Sequence, residues 1–522
     1  MPREPHTPPP ATPAPAPPLP FRFGLPGAAV PLLVFAAGAA WLGFSGAPDE
    51  RGLWPVLIAA LGTGLLLARR AADYSAAVIR GMSRPIVMLM AMAWLLAGIF
   101  SVLLRESGLV DALVWAGGEL GVRGGGFVLV AFLIAVLFST ATGTSLGTIL
   151  ICAPLLYPAA GVLEARPAAL IGAILAGATF GDNVSPVSDT TIASASSQRA
   201  PMGGVVRSRL RYAVPAALVA GVVLVLFGGV EGGAAGGGPA GAAGVPAGAG
   251  GEAAQLGLAG TGSNPAAFAM LLAPLATFVV LWRGKGLVES LFTGVAAAVA
   301  VALACGLVSP GDLIHIDAAA FRAEGLILDG MEGAVGIVVF TILLMGIVGA
   351  VQEAGILDRV VRGWRPDVEA PRRAELRIFG ITSVAVIVTT HSVMAILAVG
   401  DLVRRAGHRA GIGRFRRANL LDMTVCTYPF LLPFFIPTIL ASSATAAGEA
   451  YGVPRVSALE AGLANPYSWA LLGVMLAAIF TGLGRPGPDP QQNEPEPIHD
   501  HSTQSPRIRL RHHASHRVRP QR

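Results

Sequence analysis

Apolar runs long enough to cross a hydrocarbon core of ~30 Å recur along this whole chain, separated by short breaks. Read against those breaks, the pattern predicts full spans near residues 25–44, 53–68, 85–104, 168–195, 212–230, 265–282, 286–307, 333–352, 419–441 and 467–483. Two segments do not fit. Phe127 to Gly161 is apolar throughout, and as one straight helix its roughly 35 residues would be about 50 Å long, too long for a bilayer. Its middle is interrupted by STATGTS, Ser139 to Ser145. Two arms of about 15 residues, each too short to cross, predict a re-entrant hairpin with a polar tip near the midplane. Leu376 to Val399 repeats the pattern more briefly, with TTHS, Thr389 to Ser392, at its centre. The expected fold class is an all-α polytopic membrane protein with about ten transmembrane helices plus two re-entrant hairpins.

Loop charge tests that layout. With both hairpins counted as non-crossing, one side carries 22 arginines and lysines between Arg69 and Arg417, and the other only Arg51, Arg105, Arg123, Arg166, Arg322 and Arg455. Treating either hairpin alone as a span would invert every later loop and destroy the asymmetry. The positive-inside rule then places the richer side, with both termini, in the cytoplasm of a bacterium, the protein being multi-pass in its inner membrane.

A repeat underlies the pattern. A shift of 247 positions lays RESGLVD (Arg105 to Asp111) over QEAGILD (Gln352 to Asp358), Thr142 over Thr389, Ser145 over Ser392, Pro186 over Pro433 and Thr191 over Thr438, without a gap. Five full spans separate the copies, an odd number, so the copies lie upside down relative to each other. Inverted repeats with interrupted helices point to a secondary transporter with a midplane site. The predicted organisation is a proline-rich disordered head (1–22), N-terminal transmembrane helices (23–84) and the first repeat (85–230). A Gly/Ala-rich external linker (231–264), connecting helices and a loop (265–332), the second repeat (333–484) and a disordered His/Arg-rich tail (485–522) follow. The head lacks the continuous apolar core of a signal peptide.

Composition agrees and removes other classes. The 522 residues are 53% hydrophobic and 13% charged, where soluble domains are about a quarter charged. Every basic residue except Lys285 is arginine, a codon-usage bias more than a nucleic-acid surface, so no nucleic-acid partner is expected. Cys152, Cys305 and Cys426 all fall in apolar segments, which implies no disulfide framework. Tail histidines, His499, His501, His512, His513 and His516, are chemically able to bind metal but fit a solvated tail better.

The densest polar chemistry is GDNVSPVSDTT, Gly181 to Thr191, in the middle of an apolar run. Asp182, Ser185 and Asp189 are spaced three and four apart, one face of any local helix. Pro186 breaks that helix and frees the carbonyl of Asp182. Carboxylates, hydroxyls and freed carbonyls make an all-oxygen environment suited to a hard cation such as sodium, and no His/Cys cluster suits zinc or copper. Each charge at membrane depth costs about 2.5–3.5 kcal/mol even on the lenient scale, so two aspartates need a cation, proton or partner. A pair able to hold either protons or sodium is sufficient for antiport. The competing reading is that either aspartate caps a half-helix. Asn183, Ser188 and Thr190 belong to the same set, with Asp182 and Asp189 as the sodium ligands. Thr142, Thr144, Ser145, Thr389, His391 and Ser392 sit at the hairpin tips as ligands or as local hydrogen-bonding groups. Asp422 and Thr427 are weaker candidates: Asp422 aligns with Leu175 and reads equally as an interfacial residue.

ATGTSLGT (Ala141 to Thr148) and FGDNVSPVSDTT (Phe180 to Thr191) resemble the paired signatures of the NhaC family of sodium/proton antiporters. The resemblance covers roughly Pro85 to Ser443. It implies exchange of cytoplasmic sodium for external protons and an elevator-like movement of a hairpin-bearing domain, with no cofactor beyond the transported ions. Carried over, the ion site contains Asp182, Ser185, Asp189 and Thr190, facing the tip at Thr142 to Ser145. Many members have tryptophan where this chain has Leu146, which leaves ion preference, sodium or lithium, open. The family also includes exchangers of small carboxylates, malate against lactate with sodium, so a coupled carrier of an organic solute is the alternative. Arg207, Arg209 and Arg211 are expected too near the cytoplasmic surface to clamp an anion. An intramembrane aspartyl protease using Asp182 and Asp422 is a third reading. Thr179 stands where its glycine should be, no P-A-L segment exists, and a protease has no use for the repeat. No enzymatic activity is expected. Oligomeric state stays open, a homodimer being one option.

Overall fold

A computed structural model describes residues 18–44, 51–109, 111–112, 115–116, 121–229, 265–283, 285–317, 322–356, 359 and 370–485. The proline-rich head before residue 18, all of the 231–264 linker and the tail beyond 485 lie outside the described residues, as does Asp358 in the second repeat motif. The longer helices are α1 (Gly24–Phe44), α2 (Trp54–Leu67), α3 (Ala71–Met82), α4 (Pro85–Glu106), α5 (Gly124–Thr142), α6 (Ser145–Leu156), α7 (Pro167–Val184), α8 (Asp189–Ser197) and α9 (Met202–Phe227). After the linker come α10 (Leu272–Trp282), α11 (Leu287–Ala304), α12 (Leu326–Glu353), α13 (Pro371–Thr389), α14 (Ser392–Arg409), α15 (Arg414–Val425), α16 (Ile436–Ala444) and α17 (Pro466–Thr481). A small antiparallel ribbon pairs His315–Asp317 with Arg322–Glu324. Six helical stretches among the described residues are long and apolar enough to cross a membrane: Val87–Glu106, Gly124–Thr142, Pro167–Ser197, Met202–Phe227, Leu287–Ala304 and Leu326–Glu353.

The repeat is visible in the backbone. α13, α14, α15 and α16 begin 247 residues after α5, α6, α7 and α8 respectively. Proline at the first helical position starts α7, preset at the helical φ, and proline likewise starts α13. Both hairpin turns use one left-handed residue, Gly143 at φ 69° and Thr390 at φ 50°, also 247 apart. Glycine adopts that conformation freely, whereas a β-branched residue there is strained. Beyond each turn a short helix leads to a broken one. In the first copy the break is brief, Ser185 to Ser188, with Pro186 its only proline. In the second it runs from Cys426 to Phe435, because Pro429 and Pro433 each remove a backbone donor.

Packing crosses between copies. α14 of the second hairpin packs on α8 of the first broken helix, close enough that a Cβ on Gly400 would lie 2.7 Å from Ser197 Cβ. Reciprocally, α6 of the first hairpin packs on α16. Within the first copy α5 and α7 touch backbone to backbone: a Cβ on Gly177 would lie 2.5 Å from the Phe132 carbonyl, and one on Gly181 would lie 2.3 Å from Ser139 Cβ. Ser139 Oγ donates to the Ala178 carbonyl at 2.6 Å across that contact.

Several boundaries differ from the hydropathy reading. α5 has 19 residues rather than about 15, long enough by itself to cross, and α6 only 12. α9 begins at Met202, so Arg207, Arg209 and Arg211 lie inside a helix. Arginine is a good helix former, so hydropathy loses the helix where its backbone does not end. α3, not expected as an element, is a helix with Tyr74, Ala77 and Gly81 buried on one face. Residues 18–22, expected in the head, are packed: Leu19 and Phe21 are buried, and the Leu19 amide donates to the Glu353 carbonyl at 2.8 Å. Arg485, expected to open the tail, binds Glu375 at 2.8 Å. Of the 22 cations counted as cytoplasmic loop charges, Arg209, Arg416 and Arg417 are buried side chains, which leaves 19 against six.

Candidate functional site

The first hairpin tip meets the first helix break. Gly143 must be small there: a Cβ would lie 2.8 Å from the Ser188 amide nitrogen. Immediately beyond, Ser145 Oγ donates to Asp182 Oδ2 at 2.9 Å, and Ser188 Oγ donates to Asp182 Oδ1 at 2.7 Å. Asp182 lies in the last turn of α7, 6% exposed, with a hydroxyl on each oxygen. Ser188 also lies 3.0 Å from Thr190 Oγ1, which in turn sits 3.9 Å from Cys426 Sγ of the second copy. Since Ser188 spends its proton on Asp182, Thr190 supplies the proton between the two hydroxyls. The centre is an oxygen cage around one carboxylate, at the meeting of two helix ends and a hairpin.

Not every expected residue enters it. Asp189 is the first residue of α8 and is exposed, while the N-cap of that helix is Ser188 with no side-chain cap. Its charge acts on Asp182, and it in turn feels His391. Ser185 is buried at the break, its hydroxyl accepting from the Val187 amide at 3.4 Å. Thr142 and Thr144 serve the tip itself: Thr142 donates back to the Phe138 carbonyl at 2.8 Å, and Thr144 caps α6 by accepting from the Gly147 amide at 3.2 Å. Thr389 and Thr427 likewise donate four residues back, at 2.8 Å and 2.7 Å. Ser392 donates to the Val425 carbonyl at 3.1 Å, the positional counterpart of Ser145. His391 begins α14 with no side-chain cap, and its Nδ1 is buried without a hydrogen-bond partner among the described residues.

Two expectations are overturned. Asp422 is not interfacial: it is fully buried and joined to the first copy by the Asn183 side-chain amide at 3.0 Å. Arg209 is not near a surface: it is fully buried and forms an ion pair with Asp422 Oδ2. Its guanidinium also donates to the Asn183 carbonyl, to Thr191 Oγ1 at 2.7 Å, to Asn419 Oδ1 at 3.2 Å and to Ser194 Oγ at 3.4 Å. Asn183, expected as an ion ligand, has its side-chain carbonyl taken by the Tyr467 hydroxyl at 3.2 Å. Asp422 Oδ1 is buried with no hydrogen-bond partner among the described residues.

Arg209 escaped the sequence reading although a signal existed. Val205, Arg209, Tyr212, Ala213, Ala216 and Ala220 are the buried stripe of α9, at helical spacing, whereas Arg207 and Arg211 face outward. An arginine on the apolar face, in a chain with three aspartates needing partners, marks the buried cation.

Two cavities lie against the helices that carry these residues. One of about 440 Å³ is lined by Thr140, Ala141, Thr142, Pro186, Val187, Leu281 and Lys285, at the outer side of the tip and break. The other, about 530 Å³ and apolar, lies between α5, α7 and α9, with Phe180 at its inner edge. Among the described residues no group of three or more His, Cys, Asp or Glu side chains could hold a metal ion, and the hydroxyl-rich Asp182 cage is a different kind of donor set.

Comparison with known proteins gives a consistent placement. The chain is 30% identical over 189 residues to the malate-2H(+)/Na(+)-lactate antiporter of Bacillus subtilis (strain 168), an alignment covering 36% of this chain and 39% of that relative. The matched part of that relative is therefore well under half its length. A sequence model described as the Na+/H+ antiporter family matches residues 28–229, which contain the first hairpin, Asp182 and Arg209. By that match, residues 28–229 of this multi-pass membrane protein are similar to the Na+/H+ antiporter family.

Proposed function

We propose that the chain exchanges sodium for protons across the bacterial inner membrane, using Asp182 as the carboxylate at which the two ions compete. The observation that carries this reading is the cage around Asp182: two serine hydroxyls, one from a hairpin tip and one from a helix break, both donate to a single buried carboxylate. A hydroxyl has one proton and two lone pairs. When sodium arrives, Ser145 and Ser188 turn lone pairs toward it and the carboxylate supplies the charge. When a proton occupies Asp182, the carboxyl donates and the hydroxyls accept. The same atoms cannot serve both states at once, so loading one ion expels the other. Exposed Asp189 guards the mouth of the site, and both hairpins are re-entrant, with their tips near the midplane. The termini lie in the cytoplasm, as the remaining arginine asymmetry supports.

Everted vesicles test the reading. Sodium added to vesicles holding a pH gradient should collapse it, and Asp182→Asn should remove that response while the protein remains in the membrane. A fully active Asp182→Asn would sink the assignment.

A second reading is supported by the cavity at Lys285. The chain's sole lysine, Thr142 and Thr140, whose hydroxyl has no partner among the described residues, line a space adjoining the break. That lining suits a small carboxylate carried with the cations, in keeping with the relative's name. Uptake of labelled C3 and C4 carboxylates, compared with Lys285→Gln, separates it from simple cation exchange.

A further inference from the structure

We infer that Arg209 is a positioning residue that holds the first helix break open by substituting for missing backbone hydrogen bonds and tying the break to the second half. This rests on the proposed exchange at Asp182. Where α7 ends, the Asn183 carbonyl loses its helical donor, because Val187 N–H turns instead to Ser185 Oγ. Arg209 donates to that carbonyl. With the same guanidinium it reaches Thr191 and Ser194 on α8, and Asn419 and Asp422 on α15. One planar fork therefore joins both sides of the break in the first copy to the corresponding helix of the second. Asp182 lies one residue before the carbonyl so gripped, and Ser188 and Thr190 lie between that carbonyl and Thr191 in sequence. Holding the two ends fixes the separation of the Asp182 carboxylate from the hydroxyls that surround it.

Lysine separates charge from fork. Its ammonium supplies a point charge and three donors on one atom, which cannot span five acceptors set around a guanidinium plane. Arg209→Lys should leave the Asp422 charge compensated yet release the break. Two readouts are expected in reconstituted full-length protein: faster deuterium uptake at residues 183–191, and a sodium KM raised about tenfold with maximal rate within threefold of wild type. Because Arg209→Lys has some chance of failing to insert, the charge-free pair Arg209→Met with Asp422→Leu (leucine being the first-copy residue at that position) serves as a second variant. It too should show faster uptake at 183–191. Wild-type uptake at the break in either folded variant overturns the inference, as does an unchanged sodium KM in Arg209→Lys. The deuterium readout needs no sodium. Faster uptake in the variants with no sodium-driven flux in wild type would leave the positioning role standing and defeat the exchange reading instead.

Discussion

The two halves of the membrane domain share a backbone plan and divide the chemistry unequally. Both have a hairpin turning on one left-handed residue, and both place a serine just past the turn that donates to its own broken helix. In the first half that serine meets a carboxylate, Asp182; in the second, Ser392 meets only the Val425 carbonyl. The positions matching Asp182 and Asp189 are Pro429 and Ile436, while Asp422 matches Leu175 and Arg209 matches Val456. In the proposed reading the first half holds the exchangeable carboxylate. The second contributes a carboxylate already neutralised by an arginine from the first. The two halves share the frame, and in the proposed reading one break binds an ion while the other braces it.

The comparison can be broken experimentally, starting with the largest effect. Arg209→Ala leaves Asp422 buried and uncompensated, which costs roughly 3–5 kcal/mol. Little folded protein should reach the membrane, as fluorescence-detected gel filtration would record. Arg209→Met with Asp422→Leu should recover most of the folded yield, since an apolar pair of similar volume is often as stable as a buried ion pair. Next, the equivalent serines should part company. Ser145→Ala removes a hydrogen bond to a charged group, about 1.5–3 kcal/mol, and should raise the sodium KM tenfold or more. Ser392→Ala removes a neutral bond and should change KM less than about twofold. Equal effects in vesicle assays would mean that the halves bind ions alike. The smallest effect concerns the turns. Strain of about 1 kcal/mol or more at left-handed Thr390 should be relieved by Thr390→Gly, seen as a slightly higher melting temperature. Gly143→Thr, the reverse exchange, should cost stability and activity because its Cβ meets the Ser188 backbone.

Much of this frame was legible in the sequence. The offset of 247 paired the two hairpins and the two interrupted helices, and the structure's helix starts at 124, 145, 167 and 189 recur at 371, 392, 414 and 436, because breakers act locally: proline and glycine stop helices wherever they stand. The cage around Asp182 was legible for the same reason, its aspartate and serines lying within a few residues of marked breaks. What escaped was contact at a distance in sequence. Arg209 reaches Asp422 across more than two hundred residues, and the rule that sorts arginines by membrane side has no way to see one turned inward. Asp422 was discounted for lack of a first-copy counterpart, although its role is to pair across the copies rather than to repeat. Thr142, Thr144, Thr389 and Thr427, expected as ligands or as local hydrogen-bonding groups, make the local bonds. Thr142, Thr389 and Thr427 donate to the carbonyl four residues back and Thr144 caps α6, local partners that polarity alone does not reveal.

The measurement nearest the central claim is competition between sodium and protons in proteoliposomes of purified protein, wild type beside Asp182→Asn. The account predicts that sodium drives proton efflux in wild type, that raising proton concentration increases the sodium KM, and that Asp182→Asn shows neither response although it is folded. Sodium-driven proton movement that survives in Asp182→Asn, or a sodium KM indifferent to pH, would contradict it.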